Sequence, residues 1–156
     1  MRKLISEFLG TFLLLNAVVG SGIMATKLTP DGGLQLLINA LSTVAMLSVI
    51  ISIFSNISGA HFNPAVSFYL AITGKLRASE LISYVITQIL GAIAGTMTAN
   101  IMFHNEVIEI SSNNRASLGA FIGEFLATFG LLLVIARKPD QASLLVPAWI
   151  GTAYFF

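Results

Sequence analysis

The segment Ser58-Gly59-Ala60-His61-Phe62-Asn63-Pro64-Ala65-Val66 holds the residues of this chain whose types and spacing point most directly to chemistry. Asparagine is a strong helix N-cap, and proline is favoured at the first helical position. Asn63-Pro64 therefore predicts a helix start, and the apolar run that follows carries that helix through Ile72. The run over 62–72 is too short to cross a bilayer, which takes about 20 apolar residues. It reads as re-entrant or interfacial. A helix that begins inside a membrane presents unsatisfied N–H groups and partial positive charge at its start. Irregular backbone at that depth is tolerated only when it is buried in protein or lines a water-filled cavity. These residues alone therefore predict a helix N-terminus that lines a cavity.

Other chemistry is thin. The chain has no cysteine, so it offers no disulfide framework, thiolate metal site or thiol nucleophile. It shows no glycine-rich phosphate loop, metal-ligand cluster or catalytic triad, and neither an enzyme nor a cofactor is expected. His61 is open to two readings, a pH sensor or a brace for its loop. His104 lies beside Asn105 and Glu106 in a polar stretch and reads as solvated. Glu7 and Glu124 stand within apolar stretches. A charged residue in a span usually faces the bundle interior and pairs with polar groups there. Glu7, one turn into its stretch, is also open to a reading as a solvated interfacial carboxylate.

The elements that must position these groups are membrane spans. The 156 residues are 56% hydrophobic and 10% charged, with a mean hydropathy of +0.88. Soluble domains carry about 25% charged residues, so the bilayer is the natural solvent. The net charge of +1 gives no argument for nucleic acid. Spans are predicted over 4–25, 34–54, 81–103 and 118–136, and a fifth begins at 142 and runs to 156. The first is too long for a signal h-region and has no clear cleavage site, so a retained span is expected. If the spans alternate, Arg2, Lys3, Lys75, Arg77, Arg137 and Lys138 fall on one side, and Lys27 and Arg115 on the other. The positive-inside rule then predicts a cytoplasmic N-terminus, with the Asn63 loop dipping in from the cytoplasmic side. Gly91 and Gly95 form a G-x-x-x-G in the third span, which suits close helix packing or is ordinary membrane-helix glycine.

An internal repeat is visible. Glu7-Phe8-Leu9-Gly10-Thr11-Phe12 matches Glu124-Phe125-Leu126-Ala127-Thr128-Phe129. The copies open the first and fourth spans, so they run in opposite directions through the membrane. Inverted repeats related by an in-plane pseudo-two-fold, with sites near the midplane, are a known membrane architecture. Chance similarity of two Phe- and Leu-rich helices is the alternative.

The segment SGAHFNPAV, the Glu-bearing first span with its repeat in the fourth, and the order of elements resemble the aquaporin and glycerol-facilitator (major intrinsic protein) family across the whole chain. The resemblance implies an all-α membrane protein, an aquaporin-like inverted-repeat helical bundle with a re-entrant Asn-Pro-Ala half-helix and an incomplete second half. Residues 1–105 would form the first repeat, with its re-entrant loop at 58–74. Residues 106–117 would connect it to the start of the second repeat at 118–156. In the family two such half-helices meet at the centre of each monomer's pore, and four monomers assemble. The resemblance makes Asn63, Pro64 and Ala65 the pore motif, with the Asn63 amide donating to passing water or hydroxyl. It makes the carbonyls of Gly59, Ala60 and His61 a line of acceptors. Glu7 and Glu124 would each accept hydrogen bonds from a re-entrant loop. It places the selectivity filter at Thr43 in the second span and, with a weaker anchor, at Thr152 in the fifth. The second Asn-Pro-Ala loop, the arginine that follows it and the sixth span are missing from these residues, so a C-terminal truncation is expected.

The expected function is a passive channel for water and small neutral, polyol-type solutes that excludes protons and ions. The expected setting is a plasma or inner membrane, with membrane lipid around a homotetramer. Two alternatives stand beside it: a secondary transporter built on inverted repeats, and a non-conducting fragment. Ion-coupled transporters usually show an acidic residue facing the substrate path. Here only Glu7 and Glu124 are available, as symmetry mates near span starts.

Overall fold

The computed structural model describes residues 1–109 and 116–156. The cation at Arg115 and part of the expected connecting segment 106–117 lie outside the described residues. Among the described residues, six α-helices follow one another: α1 (Arg2–Leu28), α2 (Gly32–Ser58), α3 (Pro64–Ile72), α4 (Ala78–Met102), α5 (Leu118–Arg137) and α6 (Ala142–Ala153). A 3-10 turn over Pro139–Gln141 links the last two. Four of these helices, α1, α2, α4 and α5, are long and apolar enough to cross a membrane. The first two have 27 residues each, or about 40 Å of helix against a hydrocarbon core of about 30 Å.

Local chemistry sets most of the boundaries. Asp31 caps α2 by accepting from the Leu34 N–H at 2.7 Å. Ser117 caps α5 by accepting from the Ala120 N–H at 3.1 Å. Asn63 caps α3, accepting from the Ala65 N–H at 2.8 Å, with Pro64 in the first turn. The half-helix therefore begins and ends where the Asn-Pro pair and the length of the apolar run predict. The helices α1 and α2 run past the predicted limits at both ends because they continue into their flanks. Helix α4 starts earlier but ends one residue sooner, α5 ends one residue later, and α6 stops at Ala153, short of the run to 156 expected for a fifth span.

The path of the chain shows that residues 62–72 do not cross. A Cβ added to Gly91 would lie 2.6 Å from the Phe8 carbonyl, and one added to Gly95 would meet the Phe12 carbonyl. Contacts advance together along both helices, so α1 and α4 run parallel. The connection at 29–31 is a tight hairpin, so α2 runs back. Were α3 a full crossing, α4 would run antiparallel to α1. The loop and α3 therefore return to the side from which they came.

Those two glycines also bring the backbones of α1 and α4 into direct contact. Backbone against backbone leaves no room for a side chain, as small-residue packing in membranes requires. Gly95→Leu is expected to force α1 and α4 apart, at a cost of about 3 kcal/mol or more by analogy with overpacked cores. Size-exclusion profiles of the detergent-purified variant check this. A monodisperse peak at wild-type yield would contradict it.

The repeat is expressed in side-chain geometry. Phe8 and Phe12 stack with centroids 6.3 Å apart at 13°, and Phe125 and Phe129 stack 6.3 Å apart at 12°. The buried core gathers Leu47, Ile50 and Ile51 of α2, Phe62 and Val66 of the loop and α3, and Leu131 and Val146 of α5 and α6.

Candidate functional site

The loop between α2 and α3 is conformationally unusual. Gly59 ends α2 in the left-handed region at φ 91°, and Ala60 and Phe62 follow at 51° and 48°. Left-handed conformations cost non-glycine residues about 1–2 kcal/mol each. Such backbone persists only where its surroundings over-determine it.

The surroundings here do so. Glu7 is fully buried. Its Oε1 accepts from the His61 N–H at 3.0 Å, and its Oε2 accepts from the Phe62 N–H at 2.8 Å. Gln88 of α4 donates through Nε2 to Glu7 Oε2 at 2.8 Å and to Ser67 Oγ at 2.9 Å. Ser67 Oγ lies 3.0 Å from His61 Nδ1. The Tyr84 hydroxyl donates to the Ser58 carbonyl at 2.9 Å, and the Ala60 N–H donates to Ser58 Oγ. The Phe62 ring sits on Gly10, where a Cβ would collide with it. Glu7 thus receives donors from the loop and from α4, and both carboxylate oxygens are used.

With its N–H groups held from behind, the loop turns its other side to a cavity of about 400 Å³. Gly59, Ala60, His61 and Asn63 all line it. Among the described residues, no hydrogen bond is made to the carbonyls of Gly59, Ala60 or His61. The Asn63 side-chain oxygen is taken by the Ala65 N–H. Its amide N–H groups have no partner among the described residues, so what Asn63 offers the cavity is donors.

The rest of the wall is built from helix stripes. Thr43, Leu47, Ile51 and Ser55 of α2 recur every four residues, as do Ala142, Val146, Ile150 and Tyr154 along α6 and its end. Twelve residues of helix rise about 18 Å, which sets the length of the lined path. One end carries Lys75, Pro139 and Ala142. At the other, Thr43 and Tyr154 bridge the two stripes with their oxygens 2.8 Å apart. Thr43 Oγ1 gives its single hydrogen to the Asn39 carbonyl, so the Tyr154 phenol is the donor in that pair. Between the ends, polar groups lie along the loop track, and Leu14, Val18, Leu131 and Ile135 face them.

A model of the family described as major intrinsic protein matches residues 1–156. The chain belongs to the major intrinsic protein family. It is 42% identical over 159 residues to the aquaglyceroporin AqpS of Rhizobium meliloti (strain 1021), covering 99% of this chain and 68% of that relative. It is 35% identical over 164 residues to the probable aquaporin TIP2-2 of Oryza sativa subsp. japonica, covering 97% of this chain and 64% of that protein. The solved aquaglyceroporin from Plasmodium falciparum superposes with a TM-score of 0.79 at 28% identity, over 98% of this chain and 69% of its own. The chain thus spans about two thirds of the length of the relatives it matches.

Within this major intrinsic protein, the sequence-predicted residues fall into three groups. The structure brings Thr43, Gly59, Ala60, His61 and Asn63 to one cavity, with Glu7 behind the loop. Pro64 and Ala65 form the first turn of α3. Thr152 is not part of the cavity. It is exposed, donates to the Ala148 carbonyl, and opens onto a shallow depression with Leu37, Leu41 and Phe155. Two residues turn an α-helix by about 200°, so Thr152 and Tyr154 face opposite ways and Tyr154 meets Thr43. Glu124 is exposed, beside Gly123, Ala127 and Phe156. Gln88, Ser67 and Tyr84, which hold the loop, were not anticipated. A glutamine in the middle of an apolar span was the available signal, because polar groups there seek partners.

Proposed function

We propose that this chain forms a passive pore for water and small neutral, polyol-type solutes, and that it excludes protons and ions. The observation that carries the reading is the one-sided cavity. A track of unpaired carbonyls and the Asn63 amide donors runs beside a wall of Leu, Ile and Val. A solute with hydroxyls on one side and carbon on the other can exchange its water hydrogen bonds for the track without stranding either face. An ion cannot, because half of its hydration shell would be replaced by hydrocarbon.

In this reading Asn63 is the central donor, Gly59, Ala60 and His61 are the acceptor line, and Thr43 with Tyr154 forms the constriction. Glu7 is a scaffold, and Glu124 is its counterpart in the second repeat. The matching sequence context and the matching Phe stacking support that pairing. A coupled transporter is disfavoured because, among the described residues, Lys75 is the only charged side chain on the cavity wall. Both oxygens of Glu7 are bonded to the loop and to α4, and the residue does not line the cavity.

Stopped-flow light scattering on proteoliposomes of the complete protein, with a pH dye enclosed, tests the proposal. Swelling in glycerol gradients and water flow without dye response are expected. Thr43→Phe would place a ring beside Tyr154 and should lower glycerol flux more than tenfold while reducing water flux less. Glycerol flux unchanged by that substitution would remove the constriction from Thr43, and a fast dye response would defeat proton exclusion. We also infer that the N-terminus is cytoplasmic, from the cation bias. Lys75→Cys should then react with an impermeant maleimide only from the cytoplasmic face, and labelling from outside would reverse the topology.

A further inference from the structure

Away from the cavity, the N-terminal ends of α1 and α4 come together around an open cleft of about 500 Å³. Arg2, Lys3 and Arg77 line it, along with Ser79 and Ser83. One carboxylate, Glu80, is shared between two of the cations. Its Oε1 lies 3.5 Å from Lys3 Nζ and 3.0 Å from an Arg77 terminal nitrogen, and its Oε2 accepts from Arg77 Nε at 3.1 Å. Three cations against one anion leave the cleft positive, and Arg2 has no acidic partner among the described residues. The hydroxyls of Ser79 and Ser83 stand one turn apart on α4, are exposed, and make no hydrogen bond among the described residues. Unlike scattered surface charge, these donors converge on one opening.

The setting selects the ligand. The cleft lies at the ends of two membrane-crossing helices, at the level where lipid headgroups sit. From the same stripe of α4, Ile82 and Ile86 continue into the membrane at 70% and 52% exposure. They follow Ser79 at helical spacing, so an acyl chain can lie on them while its headgroup occupies the cleft. Basic pockets between transmembrane helices on the cytoplasmic side are suited to anionic headgroups. With the orientation proposed above, this cleft opens to that leaflet.

We propose that this cleft binds the headgroup of an anionic phospholipid. Arg2, Lys3 and Arg77 neutralise the phosphate, and Ser79 and Ser83 donate to its oxygens. Arg77 presents its fork to Glu80 and keeps its remaining N–H groups for the lipid. The site is separate from the pore and does not depend on which solute passes.

The test is native mass spectrometry of the detergent-purified protein titrated with phosphatidylglycerol, phosphatidylcholine or inorganic phosphate. Wild-type protein should retain phosphatidylglycerol at least tenfold more tightly than phosphatidylcholine, and inorganic phosphate should compete only at much higher concentration. Arg2→Gln combined with Ser79→Ala touches no structural contact and should weaken phosphatidylglycerol about tenfold. Adding Arg77→Gln should weaken it further. Arg137→Gln, on an exposed residue outside the cleft, should leave affinity unchanged. Equal retention by wild type and the Arg2→Gln/Ser79→Ala variant would overturn the proposal. So would equal binding of the two lipids, and inorganic phosphate binding as tightly as phosphatidylglycerol would make the cleft a soluble-anion site instead.

Discussion

Glu7→Ala should leave little folded protein. The substitution strands two buried backbone N–H groups, of His61 and Phe62, and one Gln88 amide hydrogen. Hydrogen bonds to a charged acceptor are worth about 1.5–3 kcal/mol each. Three of them put the loss on the order of 5 kcal/mol, comparable with the whole stability of many domains. The strained backbone at Ala60 and Phe62 would lose its clamp at the same time. Glu7→Gln keeps the shape but supplies one acceptor oxygen where two are used, and it turns an N–H₂ toward donors. Its expected cost is about 2–3 kcal/mol. Thermal unfolding in detergent, followed by intrinsic fluorescence, ranks the variants. An alanine variant that unfolds within a few degrees of wild type would mean that the carboxylate is not the clamp.

Asn63→Asp should turn a cation barrier into a cation site. Asparagine and aspartate are about equal as N-caps, so α3 should still form and the fold should survive. What changes is charge. The start of α3 carries about half an elementary positive charge. At about 4 Å and an effective dielectric constant of about 20, that repels a monovalent cation by about 2 kcal/mol, or roughly thirty-fold in rate. A carboxylate cancels this repulsion and adds an attraction of its own. It also removes the two amide donors, so the central water is no longer held as an acceptor only. Water flux is expected to stay within a few-fold of wild type while proton or sodium leak rises at least thirty-fold. Electrical recordings in planar bilayers read the leak directly. A variant as tight to cations as wild type would show that the barrier lies elsewhere.

The parts of this fold that were legible in the sequence are those whose causes are local. Asn-Pro is a favoured helix start and the apolar run after it ends at Ile72, so α3 was predicted at both ends. Twenty or more apolar residues between polar punctuation cross a membrane, so the spans were found to within a few residues. Thr43 came from the resemblance and does line the cavity. Thr152 did not follow because α6 has no charged residue to mark an outward face. Its register is set by packing against α2 and α5, and a shift of two residues reverses the side chain. Glu7 and Glu124 share a sequence context and differ in burial, since burial depends on what lies opposite. Ser67 meets His61 from only six residues away, but Gln88 and Tyr84 reach the loop from α4, a contact across the fold that no window of sequence displays.

The bonding of Glu7 also dictates an order of assembly. Its partners lie 54, 55 and 81 residues further along the chain. During synthesis α1 therefore reaches the membrane with a carboxylate that has nothing to bind. An acidic residue costs about 3 kcal/mol at the centre of an inserting helix and less toward its end, where Glu7 lies, and that cost holds the start of α1 near the aqueous boundary until later segments arrive. The loop brings two donors, and the third comes only when α4 docks through Gly91 and Gly95. Since α4 carries Gln88 and Tyr84 as well as the close-packing glycines, its arrival closes the clamp from behind. The pore wall is therefore the last part of this half to become rigid, although its sequence is made well before α4 is complete. Substitutions that slow α4 insertion should release protein with its spans in place and its loop still open to protease.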